Sequence, residues 1–307
     1  MSSALALVAE VSGHRFVNVW VLVPFTILVY DHLLTLDAEI DYMWRKPKRF
    51  NFFLFVLLRY ISVVGTTVMI IFNFRNIPVE VLSIGRGLFI HSLHYRCHDW
   101  NVGQLGLIII QSALASLALG LHIYAMYNFN KIVLVLLLCA GGITASLAVW
   151  SPVGQTWILA TNVPGCNYAV SRQSALRMAG AWEAEFVCDL LVFVFTVVRA
   201  YRQPVKLPGS ILSHMLRDGA VYFAALALVN FANIIMYYLG NQWIASSLSR
   251  FTSTISVTLV SRLMLHIRKV AADELAMSHS VHTALQFQTR ATGVAHWDEE
   301  SAVSGEV

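Results

Sequence analysis

Two apolar runs parted by a short charged hairpin constrain this chain more than any other feature. The first extends from Phe16 to Leu36 and the second from Asn51 to Phe74. Each is long enough to cross a bilayer, which takes about 20 apolar residues. Between them lie Asp37, Glu39, Asp41, Trp44, Arg45, Lys46, Lys48 and Arg49. A short basic linker between two spans normally faces the cytoplasm, and Trp44 suits an anchor at the membrane surface. The hairpin therefore predicts the orientation of everything that follows it.

Further apolar segments bring the expected spans to seven, at roughly 16–36, 51–74, 102–126, 131–150, 177–199, 217–239 and 243–267. Backbone groups find no water in lipid, so each span is expected to be helical. The expected fold class is all-α: a polytopic membrane protein with seven transmembrane helices, amino end out and carboxyl end in. Residues 1–15 read as an extracellular N-terminus, 16–269 as the transmembrane domain and 270–307 as a cytoplasmic tail, partly disordered. Composition agrees. Charged residues make up 12% of the 307, about half the share in soluble domains, and mean hydropathy is +0.65. In this orientation eleven Lys and Arg side chains fall on the inner segments and six on the outer ones, as the positive-inside rule requires. The opening MSSALALVAEV lacks a basic n-region, so the first span is expected to act as a retained targeting signal.

The hairpin and its flanks contain Tyr30-Asp31, Leu33-Leu34-Thr35-Leu36, Glu39-Ile40, Trp44 and Arg59-Tyr60. This pattern resembles the N-terminal unit of a fungal (basidiomycete) family of multi-pass membrane proteins of unknown function. The resemblance continues at Tyr124-Ala125-Met126-Tyr127, Asp218-Gly219, Tyr222-Phe223 and Ser261-Arg262-Leu263-Met264-Leu265. It implies an architecture and no activity.

Charges inside spans are costly unless paired or wet. Asp31 and Arg59 lie at similar depth, which predicts an ion pair; Asp218 and Arg262 are expected to meet at the cytoplasmic face. Glu183, Glu185, Asp189 and Arg250 are the candidates for a ligand pocket, with a purely structural pairing as the alternative. Cys97 and Cys166 both fall on the expected outer side, where a disulfide is permitted; two unpaired thiols are the alternative. His91, His94 and His98 would share one face of a helix and are the candidate metal ligands, although such histidines also serve as ordinary polar residues. Gly141-Gly142, Ser146 and the Ser/Thr face of the last span read as close-packing positions.

These features favour a receptor-like seven-helix protein sensing a small or lipophilic ligand. Span 3 ends in HIYAMYNFNK and span 7 has no Asn-Pro-x-x-Tyr, so the usual G-protein switch is not supported. The alternative is a small transporter or channel using Asp189, Glu185 and Arg250. No phosphate-binding glycine loop, serine elbow or HExxH motif is present, so neither an enzyme nor a cofactor is expected. The expected partners are the lipid bilayer, an unknown ligand and a cytoplasmic protein at the inner loops and tail. The basic residues form no patch of the kind that binds nucleic acid. An outer disulfide would fit the plasma membrane.

Overall fold

The computed structural model describes residues 2–45, 50–74, 86–155, 157–159, 168–202 and 211–303, with segments 2–7, 86–99, 157–159, 211–219 and 278–303 and residues 9, 10, 14, 200, 201, 274 and 275 described as backbone only. The chain is almost entirely helical. Helix α1 spans Ser2–Leu34 and α2 Leu36–Glu39; a π-helical turn, Ile40–Trp44, follows. Helices α3 (Phe50–Phe74), α4 (Arg86–Met126) and α5 (Lys131–Trp150) come next. A small antiparallel hairpin, β1 (Trp157–Leu159) with β2 (Tyr168–Val170), pairs Trp157 with Val170 and Leu159 with Tyr168. Helices α6 (Arg172–Arg202), α7 (Ile211–Leu239) and α8 (Ser247–Val303) complete the fold.

Local chemistry sets the element ends. The turn between α4 and α5 places Asn128 and Phe129 at positive φ, and the Asn130 side chain caps α5 by accepting from the Ile132 N–H at 2.8 Å. Such a cap satisfies one of the orphan donors of a helix start. Between α7 and α8 the Asn241 side chain accepts from the N–H groups of Trp243 and Ile244. Gly240 permits that turn: a Cβ there would lie 2.4 Å from the Met236 carbonyl oxygen and 3.0 Å from the Ala245 Cα.

Among the described residues, five helical stretches are long and apolar enough to cross a membrane: 11–34, 50–71, 100–126, 131–150 and 220–239. The other two long helices are more polar. Helix α6 carries Glu183, Glu185 and Asp189, and the first half of α8 carries Arg250, Arg262 and a run of serines and threonines. Packing explains how that polarity is tolerated. Helix α8 lies against α1, α3, α4 and α7, and α6 lies between α5 and α7. Ser249, Thr252, Ser253, Thr254, Thr258 and Ser261 are all buried.

Outside, the distribution is reversed. Ile132, Val135, Leu138, Ile143 and Val149 of α5 are exposed, as are Leu57, Val64 and Ile71 of α3 and Val221 and Leu228 of α7. Apolar surface on this scale is excluded from soluble monomers and suits hydrocarbon. The chain is thus an integral membrane protein whose helices turn apolar side chains outward and polar ones inward. One core cluster draws on all seven long helices, through Leu28, Leu58, Leu119, Val133, Val192, Phe223 and Val257.

The glycine pair in α5 does not serve the close packing expected of it. A Cβ at Gly141 or Gly142 would meet nothing within 4 Å, and Ser146 is exposed and bonds back to the Gly142 carbonyl. The small residues lie on the outward side of α5, away from its neighbours. Gly240→Ala is expected to destabilise the protein by about 1–3 kcal/mol, as overpacking does. Gly141→Ala should be neutral or stabilising by up to about 1 kcal/mol, since alanine is the better helix former. Thermal unfolding of the two purified variants in detergent checks both signs.

Candidate functional site

Two polar centres lie within the bundle. The first joins α1, the π-helical turn, α3 and α8. Asp31 of α1 forms an ion pair with Arg262 of α8. Arg59 of α3 lies 3.0 Å from the Glu39 carboxylate and donates to His32 Nδ1 at 2.7 Å, the His32 carbonyl at 3.0 Å and Thr35 Oγ1 at 2.6 Å. Glu39 also accepts from the Tyr60 hydroxyl at 2.8 Å and from Trp44 Nε1 at 2.9 Å. Asp31, Glu39 and Arg59 are buried. Two carboxylates face two guanidiniums, so the cluster is neutral as a whole.

The partners differ from those expected. Asp31 pairs with Arg262, not with Arg59, and Arg59 takes Glu39. Depth alone places Asp31 beside Arg59, but helical phase turns Asp31 toward α8 while His32 and Thr35 meet α3. Glu39, expected within the charged hairpin, is carried inward when α2 and the π-helical turn fold back onto α8 and meet α3 through Glu39 and Met43. Asp218 lies outside the described side chains. Trp44 is half exposed, packs edge-on to Phe52 at 5.2 Å and so serves the cluster as well as the surface.

At the same end of the bundle, where α4 turns into α5, the Tyr127 hydroxyl donates to the Phe195 carbonyl at 2.8 Å. Burial pushes its pKa above the ordinary tyrosine value, against the pull of Arg199 and Arg202.

The second centre lies between α4, α5, α6, α7 and α8. A cavity of about 540 Å³, measured with its open mouth, is lined by Ser112, Met178, Trp182, Glu185, Tyr237 and Ser249 among others. A deeper one of about 280 Å³ shares Ser112, Trp182 and Glu185 and adds Ser116, Asp189, Asn230 and Ser256. Glu185 accepts from the Ser116 hydroxyl at 2.8 Å, and Asp189 accepts from the Asn230 amide. The two acids are four residues apart on α6 and share a face. No basic side chain pairs with either among the described residues. Tyr237 exchanges a hydrogen bond with Ser249 at 2.7 Å, and Ser249 donates to Asn233 at 3.3 Å.

The other two pocket candidates lie elsewhere. Glu183 is on the neighbouring face of α6 and accepts from the Tyr238 hydroxyl at 2.6 Å. Arg250 lines a separate cavity and donates to Gln104 Oε1 at 2.6 Å. Sequence grouped them by depth, which says nothing of helical phase. Gln104, Gln111, Asn230 and Asn233, which the sequence reading passed over, are buried polar side chains within apolar spans; that signal alone marks a candidate functional position.

The Cys97–Cys166 pairing and the His91, His94 and His98 cluster lie outside the described side chains. Among the described residues Cys139 and Cys188 are free thiols, and no group of three or more His, Cys, Asp or Glu side chains is placed to hold a metal.

Removing one member of a buried ion pair typically costs about 3–5 kcal/mol. Glu39→Gln, which strips a buried arginine of its carboxylate, should approach that figure. Asp31→Asn should cost less, because the Arg262 side chain is 38% exposed and can turn to solvent. The Glu39→Gln/Arg59→Gln double variant should lose less than the sum of its single variants. Unfolding in mixed micelles checks the order; equal losses for Glu39→Gln and Asp31→Asn would contradict it.

Residues 21–64 fit the model of a Family of unknown function (DUF6533). No curated protein matches the chain. The matched stretch contains Asp31, His32, Thr35, Glu39, Trp44, Arg59 and Tyr60, so it supplies the whole first polar centre except Arg262.

Proposed function

We propose that the chain is a receptor-like seven-helix membrane protein, amino end out and carboxyl end in, that binds a small organic cation beside Glu185 and Asp189. Support for seven spans comes from the shared core of the seven long helices and from the excess of Lys and Arg on the inner segments. The plasma membrane, where an outer Cys97–Cys166 disulfide could form, belongs to the same reading.

The observation that carries the ligand class is the pair of carboxyl groups facing one cavity with no basic side chain against them among the described residues. Carboxylates inside a membrane normally pair, face water or take a substrate ion. Trp182 and Tyr237 add aromatic surface, which suits an alkylammonium group. Serine hydroxyls on α4 and α8 supply the few polar contacts that would orient it.

A transport reading has one observation of its own. The two cavities share Ser112, Trp182 and Glu185, which would let a cation step from Glu185 to Asp189. Purified full-length protein in nanodiscs is tested with a panel of primary and quaternary amines. Binding is expected to weaken about tenfold or more in both Glu185→Gln and Asp189→Asn, the scale of one charge-assisted contact. Binding unaffected by either change would refute the site. Uptake of the same amine into proteoliposomes, lost in Asp189→Asn, would favour the transporter over the receptor.

Orientation has its own check. Glycan-acceptor tags at the two ends should be modified at the amino terminus alone; modification at the carboxyl terminus alone would reverse the topology.

A further inference from the structure

Arg250 occupies a cavity on the opposite side of α4 from the two acids. It lies between α1, α3, α4 and α8 and measures about 430 Å³ when its open mouth is counted. One wall is polar, with Gln104, Gln111, Arg250 and Thr254; the other is apolar, with Pro24, Met69, Ile70 and Leu107 among its residues. No carboxylate pairs with Arg250 among the described residues; its recorded partner is the neutral Gln104 side chain.

The hydrogen-bond inventory of that wall is unbalanced. Gln104 Oε1 accepts from Arg250 at 2.6 Å and Gln111 Oε1 accepts from Ser253 at 2.6 Å. Both amide oxygens are thus engaged by the protein's own donors. The Gln111 amide nitrogen is buried with no partner among the described residues, and Gln111 itself is 2% exposed. A guanidinium has five N–H donors, and among the described residues Arg250 donates to Gln104 alone. What the wall lacks is an acceptor with negative charge.

We propose that this cavity binds the carboxylate head of a lipophilic acid, with Arg250 and the Gln111 amide on the head and the α1–α3 wall on the tail. A single guanidinium matches one planar carboxylate, to which it can donate twice. A phosphate monoester would bring up to two negative charges to one positive charge. The apolar residues opposite provide for a hydrocarbon chain and not for a compact, hydrated anion. Ile108 alone lines both this cavity and the acidic one; Gln104, Leu107 and Gln111 of α4 belong to this cavity, and Leu105, Ile109 and Ser112 to the other.

The test uses the full chain in detergent and a photo-crosslinkable fatty acid bearing a diazirine on its tail. Peptide mapping is expected to place the adduct on residues 66–70 or 104–108. Oleate should compete, and oleyl alcohol should not. Arg250→Gln should cut labelling about tenfold or more, the loss expected of a charge-assisted bond. Gln104→Glu gives Arg250 an internal carboxylate; it should raise the unfolding temperature while abolishing labelling, so the test stands even if Arg250→Gln fails to fold. Labelling outside the cavity, or labelling unchanged in Gln104→Glu, would overturn the proposal. Stronger competition by lysophosphatidic acid than by oleate would assign the site to a phosphate head and overturn the carboxylate.

Discussion

The arrangement depends on electrical neutrality where three helices meet. Asp31 and Glu39 stand in a region without bulk water, and an unpaired carboxylate there costs several kcal/mol. Arg262 and Arg59 remove that cost only if α1, α3 and α8 come together in one register. The π-helical turn is part of the same solution. It folds the chain back so that Glu39 points inward and meets Arg59, Tyr60 and Trp44 at once. Helices that hydrophobicity alone would leave free to slide and rotate in lipid are thereby fixed in depth and phase.

This accounts physically for the motif that runs through the matched stretch. Its polar members other than the exposed Tyr30 each contribute to the network, and its leucines at 33, 34 and 36 are exposed on the helix surface. A pattern of this kind specifies a fold. It does not specify a ligand, and the cavities lie largely beyond it.

The helical state of the chain and its membrane environment were legible from composition and run length, whereas of the seven expected spans five are long and apolar enough to cross a membrane among the described residues. The candidate charges were legible too, since an ionisable residue among leucines is conspicuous. Their partners were not. Sequence gives depth along a span, but which side of a helix a residue occupies depends on packing between helices distant in the chain. Asp31 and Arg262, separated by most of the sequence, illustrate the difficulty, as does the separation of Arg250 from Asp189. Helix α8 poses the converse problem: its serines and threonines are buried against α1, α3, α4 and α7, so the polarity that weakens it as a candidate span goes with an interior position.

Helix α8 also carries Arg250 and Arg262 on a single continuous rod. Twelve residues separate them, roughly 18 Å along the axis. No glycine or proline interrupts that interval, so it has no obvious hinge. The guanidinium contacts of Gln104 and Asp31 thus hang from one uninterrupted stretch of helix. By reciprocity any occupant that prefers one position of the rod alters the strength of the distant contact, and loosening that contact alters the occupant's affinity by the same factor. The bundle has the geometry of a lever whose two grips are both arginines.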